Sequence, residues 1–256
     1  MDKPLILVSN DDGVISSGIR LLVELMSTLG EVVVIAPDSP QSGMGHAITI
    51  GDTLRLKKVD IFGDIVAYQC SGTPADCVKL GKNYVLKGRT PDLVVSGVNH
   101  GSNTSISVLY SGTMSAAIEG AIEGGPSIAF SLCDYSTKAP MDHIEKYILD
   151  IAGQVLKTGL PKGVALNVNF PPKRNDSIRG IKVCRQARAK WQEEFDKRID
   201  PTGREYFWMA GNFENHDKGE DNDEWAIANN YVSIVPTQYD MTAHHAISIL
   251  NDEWEI

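Results

Sequence analysis

The feature that most constrains the fold is an alternation of short apolar runs with segments of helical periodicity. The runs are rich in β-branched residues and predict buried strands at residues 5–8, 31–37, 92–101, 126–132 and 164–171. Between them, apolar side chains recur at helical spacing over residues 19–29, 74–81, 113–123 and 144–155. Strands separated by helices are typical of an α/β fold, a three-layer sandwich with a mostly parallel sheet.

The composition changes after about Cys184. We therefore expect a single structural domain with an extension: a catalytic core over residues 1–185 and an oligomerisation arm over residues 186–256. Turn residues and aromatics in the extension predict a hairpin, which either packs on its own domain or joins the subunits of an oligomer. Its exposed aromatic residues favour the oligomer: Trp191, Phe195, Tyr206, Phe207 and Trp208.

Three further segments follow the hairpin. The acidic run over residues 217–224 is typical of an exposed loop. Residues 231–241 predict a late strand, and residues 243–251 predict a closing helix capped by Thr242.

The net charge limits the classes of partner. A formal charge of −9, spread along the chain, disfavours nucleic-acid polymers and anionic membranes. No uncharged apolar run approaches the ~18 residues of a membrane helix. The cysteines have no zinc-like spacing, and no signal peptide is apparent, so we expect reduced thiols and a cytoplasmic protein: Cys70, Cys77, Cys133 and Cys184.

Side chains with oxygen donors follow the predicted strands. Asp11 and Asp12 come directly after the first strand, and Ser42 follows the second. Asn99 lies at the end of the third. Ligands of open α/β sheets bind outside the carboxyl ends of the strands, and a donor set made only of oxygens suits Mg²⁺ or Mn²⁺ rather than Zn²⁺. The sequence therefore predicts a site for one divalent cation.

The stretch YSGTM predicts an anion site next to that cation. Ser111 and Gly112 precede a helix whose first turn begins at Thr113, and a helix N-terminus presents free N–H groups to a phosphate. A metal beside such a terminus is suited to phosphoryl transfer. Each piece alone has a plainer explanation, since DDG favours a turn and SGTM is an ordinary capped helix start. Their shared position after predicted strands favours the site.

The histidines are candidate proton donors. His46 and His100 lie in the site loops, where either could protonate a leaving alkoxide, although a solvated loop histidine is the plainer interpretation. His244 and His245 stand at a helix start, where capping or packing is expected.

Six motifs, in order along the chain, resemble the SurE family of survival-protein nucleotidases: ILVSNDDGV, VVVIAPDSPQSG, GTPADCV, DLVVSGVN, YSGTMSAAIEG and YVSIVP. The resemblance extends from Leu5 to about His244. It implies a Rossmann-like core with a protruding hairpin and an exchanged C-terminal segment, which build dimers and tetramers. It also implies a metal-dependent phosphatase that hydrolyses nucleoside 5′-monophosphates, 3′-monophosphates and short polyphosphate.

The resemblance assigns roles to individual residues. The metal ligands fall on the four oxygen donors Asp11, Asp12, Ser42 and Asn99. The phosphate-binding elements fall on Asn10, Gly43, Asn103, Ser111, Gly112 and Thr113. The chain departs from many members at Ser105 and Ser107, where Gly and Asp are common.

The mechanism follows as a hypothesis in which a water, activated by the metal, attacks the phosphoryl group. Asp11, Asp12 and Asn99 are the catalytic candidates, and Asp12 orients or deprotonates the water. The alternatives are an aspartyl-phosphate intermediate, a phosphatase with a DxD nucleophile, and a regulator that binds nucleotides without hydrolysing them.

Overall fold

The apolar runs form the centre of a nine-stranded sheet in a computed structural model that describes residues 3–254. The sheet has the order β3-β4-β2-β1-β5-β6-β7-β11-β8. Its strands are β1 Leu5–Ser9, β2 Glu31–Pro37, β3 Leu56–Val59, β4 Val66–Cys70, β5 Leu93–His100, β6 Ser127–Leu132, β7 Val164–Phe170, β8 Ile181–Val183 and β11 Val232–Gln238. The six strands from β4 to β7 are parallel. β3 pairs antiparallel with β4, and β11 pairs antiparallel with β7 but parallel with β8.

Helices cover both faces of this sheet. They are α1 Ser17–Ser27, α2 Pro74–Leu80, α3 Gly112–Ile122, α4 Glu145–Thr158 and α5 Asp223–Ala228, whereas α6 His244–Glu253 has no buried residue. Because side chains alternate along a strand, Ile6 and Val8 of β1 pack with α1 and α4 on one face. Leu5 and Leu7 pack with α2 on the other. This arrangement confirms the predicted three-layer sandwich.

The order of the strands creates a crevice beside β1. The chain leaves β1 for β2 on one side and later returns to place β5 on the other side. The loops that follow β1 and β5 therefore diverge at the carboxyl edge of the sheet, where open α/β folds bind ligands. Ser9 at the end of β1 is level with Ser96 of β5, so Asn99 projects from the same edge as the aspartate pair.

The predicted hairpin is present and lies outside the main sheet. Strands β9 Ala189–Ile199 and β10 Glu205–Asn215 pair only with each other, in antiparallel register. Four arm aromatics are well exposed, at 64% for Phe195, 39% for Tyr206, 56% for Phe207 and 61% for Trp208. The chain then returns through β11, which lies between β7 and β8 in the main sheet.

The division at residue 185 stays a prediction, because the main sheet takes strands from both sides of it. β8 lies before that boundary and β11 after it, and the two pair in parallel. The outermost residues of the two predicted parts, 1–2 and 255–256, lie outside the described residues. Within residues 3–254, no helix is both long enough and apolar enough to cross a membrane.

Two local predictions after the hairpin are wrong. The acidic run is not an exposed loop throughout, because Asp223 is fully buried. Its carboxylate accepts hydrogen bonds from the N–H groups of Ser105, at 2.8 Å, and Ala187, at 2.9 Å. These donors are distant in sequence, so local charge density did not reveal them. Helix α6 also lacks the predicted cap: Ala243 holds the N-cap position, and Thr242 instead donates its N–H to Asp240.

Candidate active site

Asp11 lies in the loop after β1 and is 5% exposed. Its Oδ1 accepts a hydrogen bond from the hydroxyl of Thr113, in the first turn of α3. A side chain at Gly112 would lie 2.7 Å from the Cβ of Asp11, so glycine allows α3 to approach the carboxylate. The first turn of α3 is thus packed against the acidic loop, as the sequence predicted.

Burial raises the pKa of Asp11 to about 6, and the neighbouring charge of Asp12 adds to this effect, whereas the hydrogen bond from Thr113 opposes it. A buried carboxylate next to a second carboxylate lacks a compensating positive charge. A bound cation would supply that charge and favour the ionised form of both groups.

Asp12 carries an unsatisfied oxygen. Its Oδ2 is buried and has no hydrogen-bond partner within the part of the chain that the structure describes. The nearest titratable neighbour is His100, whose Nδ1 lies 3.6 Å from that oxygen. The His100 side chain is only 6% exposed, and its other ring nitrogen lies 3.5 Å from Ser17 Oγ. The interpretation of His100 as a solvated loop histidine is therefore wrong.

The other two predicted metal ligands come from adjacent loops. Ser42 is exposed and follows Gln41, whose N–H donates to the carbonyl of Asp11 at 2.8 Å. Asn99 ends β5 beside His100, and its amide nitrogen donates to the carbonyl of Gly101 at 2.9 Å. The amide oxygen of Asn99 is therefore the atom available to a ligand.

The residues of this edge fit a hard cation better than a soft one. The predicted donors are two carboxylates, a hydroxyl and an amide, and the buried Asp12 Oδ2 is unsatisfied. No cluster of three or more His, Cys, Asp or Glu side chains with metal-binding geometry occurs among residues 3–254. A zinc site of nitrogen and sulfur ligands therefore does not compete with this interpretation.

The N-terminus of α3 has the features of an anion site. Ser111 is the N-cap, and its Oγ accepts the N–H of Met114 at 3.0 Å, which leaves its own hydrogen free to donate. The first N–H groups of a helix have no partner within the helix. Gly43 adds backbone from the facing loop, with a left-handed φ of +76°. These groups could bind a phosphate beside the aspartate pair.

Asn103 is held by a ladder of polar side chains. Its N–H donates to Asn169 Oδ1 at 2.9 Å, and its carbonyl accepts from Asn167 Nδ2 at 2.8 Å. Its own amide nitrogen donates one hydrogen to Ser131 Oγ at 2.8 Å. The second hydrogen of that nitrogen is therefore the one that Asn103 can offer to a phosphate.

The side chain of Asn10, unlike that of Asn103, has no free N–H group. Its amide nitrogen donates to the carbonyl of Gly13 at 3.0 Å and to Ser16 Oγ at 2.8 Å. Both N–H hydrogens thus hold the acidic loop against the start of α1, and none is left for a phosphate oxygen. The phosphate-binding role of Asn10 stays a prediction, and its side-chain N–H groups do not support it.

Comparisons with known proteins agree with this architecture. The sequence model of the family described as Survival protein SurE matches residues 6–193. The chain belongs to the SurE family. A protein of Cytophaga hutchinsonii named 5′-nucleotidase SurE is 67% identical over 255 residues, which cover 100% of this chain and 98% of that protein. A protein of the same name from Flavobacterium psychrophilum is 59% identical, with coverage of 100% and 99%.

The fold is also shared with a solved SurE structure. The crystal structure of the SurE protein from Aquifex aeolicus matches with a TM-score of 0.84 and 42% identity, and the match covers 98% of this chain and 100% of that one. The Rossmann-like core predicted from the sequence is thereby confirmed.

The departure from many SurE sequences at Ser105 has a structural consequence. Ser105 has a φ of +51°, a left-handed conformation that glycine adopts at lower cost. Its hydroxyl donates to the carbonyl of Ala187 at 2.9 Å and accepts the N–H of Ala189 at 3.1 Å. The loop after Asn103 is therefore attached to the base of the hairpin through a side chain that glycine lacks.

The sequence analysis missed one buried carboxylate of this SurE chain. Glu119 of α3 has a side chain that is 2% exposed, and it accepts from His46 at 2.9 Å and Lys79 at 2.6 Å. His46 is exposed, as expected of a loop histidine, but its ring is bonded to Glu119. A lone acid in the small, apolar stretch SAAIEGAI was the available signal. The polar pair in the buried strand LNVNF was the corresponding signal for Asn167 and Asn169.

Proposed function

We infer that this chain is a 5′-nucleotidase, a metal-dependent hydrolase that converts nucleoside 5′-monophosphates to nucleoside and phosphate. The relatives named 5′-nucleotidase SurE support the activity. The structural observation that carries the proposal is the contact between Asp11 and Thr113, which joins the carboxylate pair to the N-terminus of α3. We include nucleoside 3′-monophosphates and short polyphosphate as further substrates.

One divalent ion per subunit, Mg²⁺ or Mn²⁺, would be held by the oxygen donors Asp11, Asp12, Ser42 and Asn99. When bound, it would neutralise charge on the phosphoryl group and lower the pKa of the attacking water. The high pKa of Asp11 and the unsatisfied oxygen of Asp12 support this assignment.

The chain's own groups orient the substrate. The N–H groups in the first turn of α3 bind phosphoryl oxygens, together with the hydroxyl of Ser111 and the free amide hydrogen of Asn103. Asp12 orients the attacking water through Oδ2. Of the two candidate histidines, His100 lies beside Asp12, whereas the ring of His46 is bonded to Glu119. We therefore assign protonation of the leaving alkoxide to His100.

We further propose a homodimer or homotetramer and a cytoplasmic location. The exposed aromatic hairpin and the fully exposed C-terminal helix α6 support an assembly in which the segment after β11 is exchanged between subunits. The four cysteines are free thiols, and three of them are buried, as expected in a reducing compartment.

The test is hydrolysis of a panel of nucleoside 5′- and 3′-monophosphates with Mg²⁺ or Mn²⁺. We expect phosphate release that EDTA abolishes and added metal restores. Hydrolysis that persists in EDTA would contradict the metal-dependent mechanism, and nucleotide binding without hydrolysis would favour the regulator.

Metal binding is tested separately by calorimetry with Mn²⁺. Asp11→Asn and Asp12→Asn should each weaken Mn²⁺ binding and lower hydrolysis at least tenfold, by about 1.4 kcal/mol or more. The matched control is Asp38→Asn, an exposed acid in the loop after β2, which should change neither. An equal loss in the control would refute the assignment of the ligands.

A further inference from the structure

A cleft of about 500 Å³ opens between the hairpin and the loops of the candidate site. Gly43 and Tyr110 line it from the side of the core, and Trp191, Glu193 and Met209 line it from the hairpin. A cavity of this size falls in the range that holds small-molecule ligands.

The cleft adjoins the loops that carry the proposed phosphate site. Gly43 follows the predicted metal ligand Ser42, and Tyr110 precedes the helix cap Ser111. The two loops are tied together, because the N–H of Gly45 donates to the carbonyl of Tyr110 at 3.1 Å. A phosphate at the start of α3 would therefore have the remainder of its nucleotide at the mouth of this cleft.

The cleft offers a flat aromatic face in a fixed position. The indole of Trp191 donates to Ser107 Oγ at 3.5 Å and packs edge-on against Phe213, with centroids 5.5 Å apart. It remains 36% exposed, and Tyr110 remains 53% exposed. Stacking of a base on an aromatic side chain contributes about 1–3 kcal/mol.

We propose that this cleft binds the base of the substrate, and that the base is a purine stacked on Trp191. The inference rests on the nucleotidase function proposed above. A bicyclic base covers more of an indole than a pyrimidine does. Glu193 lines the same cleft and can only accept hydrogen bonds when ionised, which matches the amino group of adenine or the N–H edge of guanine.

A second cleft of about 460 Å³ is lined by Ser111, and it provides the internal comparison. Its polar lining includes Gln186 and Gln238, and Tyr239 contributes an aromatic ring. It has no indole, and Gly43 lines the first cleft but not this one.

The experiment measures KM and kcat of Trp191→Ala for AMP, GMP and ribose 5-phosphate, a substrate without a base. We expect KM for the two purine nucleotides to rise about tenfold or more, with kcat and the hydrolysis of ribose 5-phosphate unchanged. Trp191→Phe should restore most of the affinity. The control is Trp208→Ala, which removes an indole from the same hairpin but does not line the cleft.

Three results would overturn the inference. KM for AMP and GMP could stay unchanged in Trp191→Ala. Hydrolysis of all three substrates could fall together with the mass measured by light scattering, which would make the cleft a subunit contact. Gln238→Ala, rather than Trp191→Ala, could raise KM for AMP, which would place the base in the second cleft.

Failure of the proposed function gives a different result. A wild-type protein that hydrolyses neither nucleotides nor ribose 5-phosphate would contradict the nucleotidase assignment. Equilibrium dialysis of AMP against wild type and Trp191→Ala then still tests the cleft: weaker binding by the variant supports the inference, and equal binding overturns it.

Discussion

Single residues at the carboxyl edge of the sheet have two roles: some supply the donor atoms of the site, and others hold those residues in place. Asp11 and Asp12 supply the carboxylate oxygens of the site, and the buried ladder of Ser131, Asn167 and Asn169 holds Asn103 in place. A buried polar group that loses its partner costs about 1–3 kcal/mol, so the ladder restricts Asn103 to one orientation. We assign these three side chains as positioning residues, because each acts through its hydrogen bond to Asn103.

Ser131→Ala should show this positioning role. Removal of the acceptor frees the amide of Asn103, and we expect kcat/KM for AMP to fall about tenfold. Ser127→Ala is the matched control, since it removes another fully buried hydroxyl of β6 that donates only to the carbonyl of Gly125. Both variants should lose about 1 kcal/mol of stability in urea unfolding. Equal losses of activity would show that the role of Ser131 is only structural.

Among the secondary structure elements, α3 links the site to the rest of the core. Its N-terminus contacts Asp11, and Glu119, two turns later, joins Lys79 of α2 to His46 of the loop after β2. Burial raises the pKa of Glu119, but hydrogen bonds from His46 and Lys79 outweigh this effect and hold the pKa below its ordinary value of 4.5. The ionised carboxylate therefore stabilises the fold.

Glu119→Gln should destabilise the protein by about 2 kcal/mol at neutral pH, because charged hydrogen bonds are lost. The stabilisation by Glu119 is complete above pH 4.5 and is lost as the pH falls through the lowered pKa of the folded state. The difference between wild type and variant in urea unfolding should therefore shrink on acidification.

The control is Glu123→Gln, at the C-terminal end of the same helix. Glu123 pairs with Lys82 at 2.7 Å but is 22% exposed, so its loss should cost less than about 1 kcal/mol. A stability difference for Glu119→Gln that stays constant with pH would show that packing, not charge, is responsible.

For the molecule as a whole, the hairpin stands apart, because its two strands do not pair with the main sheet. Strands β9 and β10 pair only with each other, and four of their aromatic side chains are well exposed. Exposed apolar surface of this kind is typical of an interface between subunits. The main sheet does not depend on it, because β8 and β11 join the core on either side of the arm.

Replacement of residues 191–213 by Asn-Gly tests the arm. Lys190 and Glu214 face each other in the register of the hairpin, so a two-residue turn can connect them. We expect the variant to keep a cooperative unfolding transition, while light scattering reports a smaller assembly than the wild type. A monomeric wild type at micromolar concentration, or an unchanged mass after the replacement, would contradict the oligomeric arm.

The outline of the fold could be predicted from local pattern, since a buried strand and an amphipathic helix each leave a periodic signal. The runs at 5–8 and 31–37 became β1 and β2, and the helical pattern over 74–81 became α2. The exposure of Asp223 was predicted wrongly because its partners Ser105 and Ala187 are distant in sequence. The cap of α6 was predicted wrongly because Thr242 bonds its near neighbour Asp240 instead.

The candidate site shows the same difference between what local sequence predicts and what tertiary contacts decide. Residue type alone singled out the oxygen donors Asp11, Asp12, Ser42 and Asn99, because the chemistry of a hard cation depends on the kind of atom that faces it. Local sequence contained no sign that Asn10 would turn inward, that His100 would be buried beside Asp12, or that Ser131 would hold Asn103. The contacts of His100 and Ser131 join residues 88 and 28 positions apart, and they exist only once the sheet has aligned its strand ends. Asn10, by contrast, bonds Gly13 within its own loop. The amino-acid types therefore determined which ligand atoms were available at the site, and tertiary packing determined their direction and their partners.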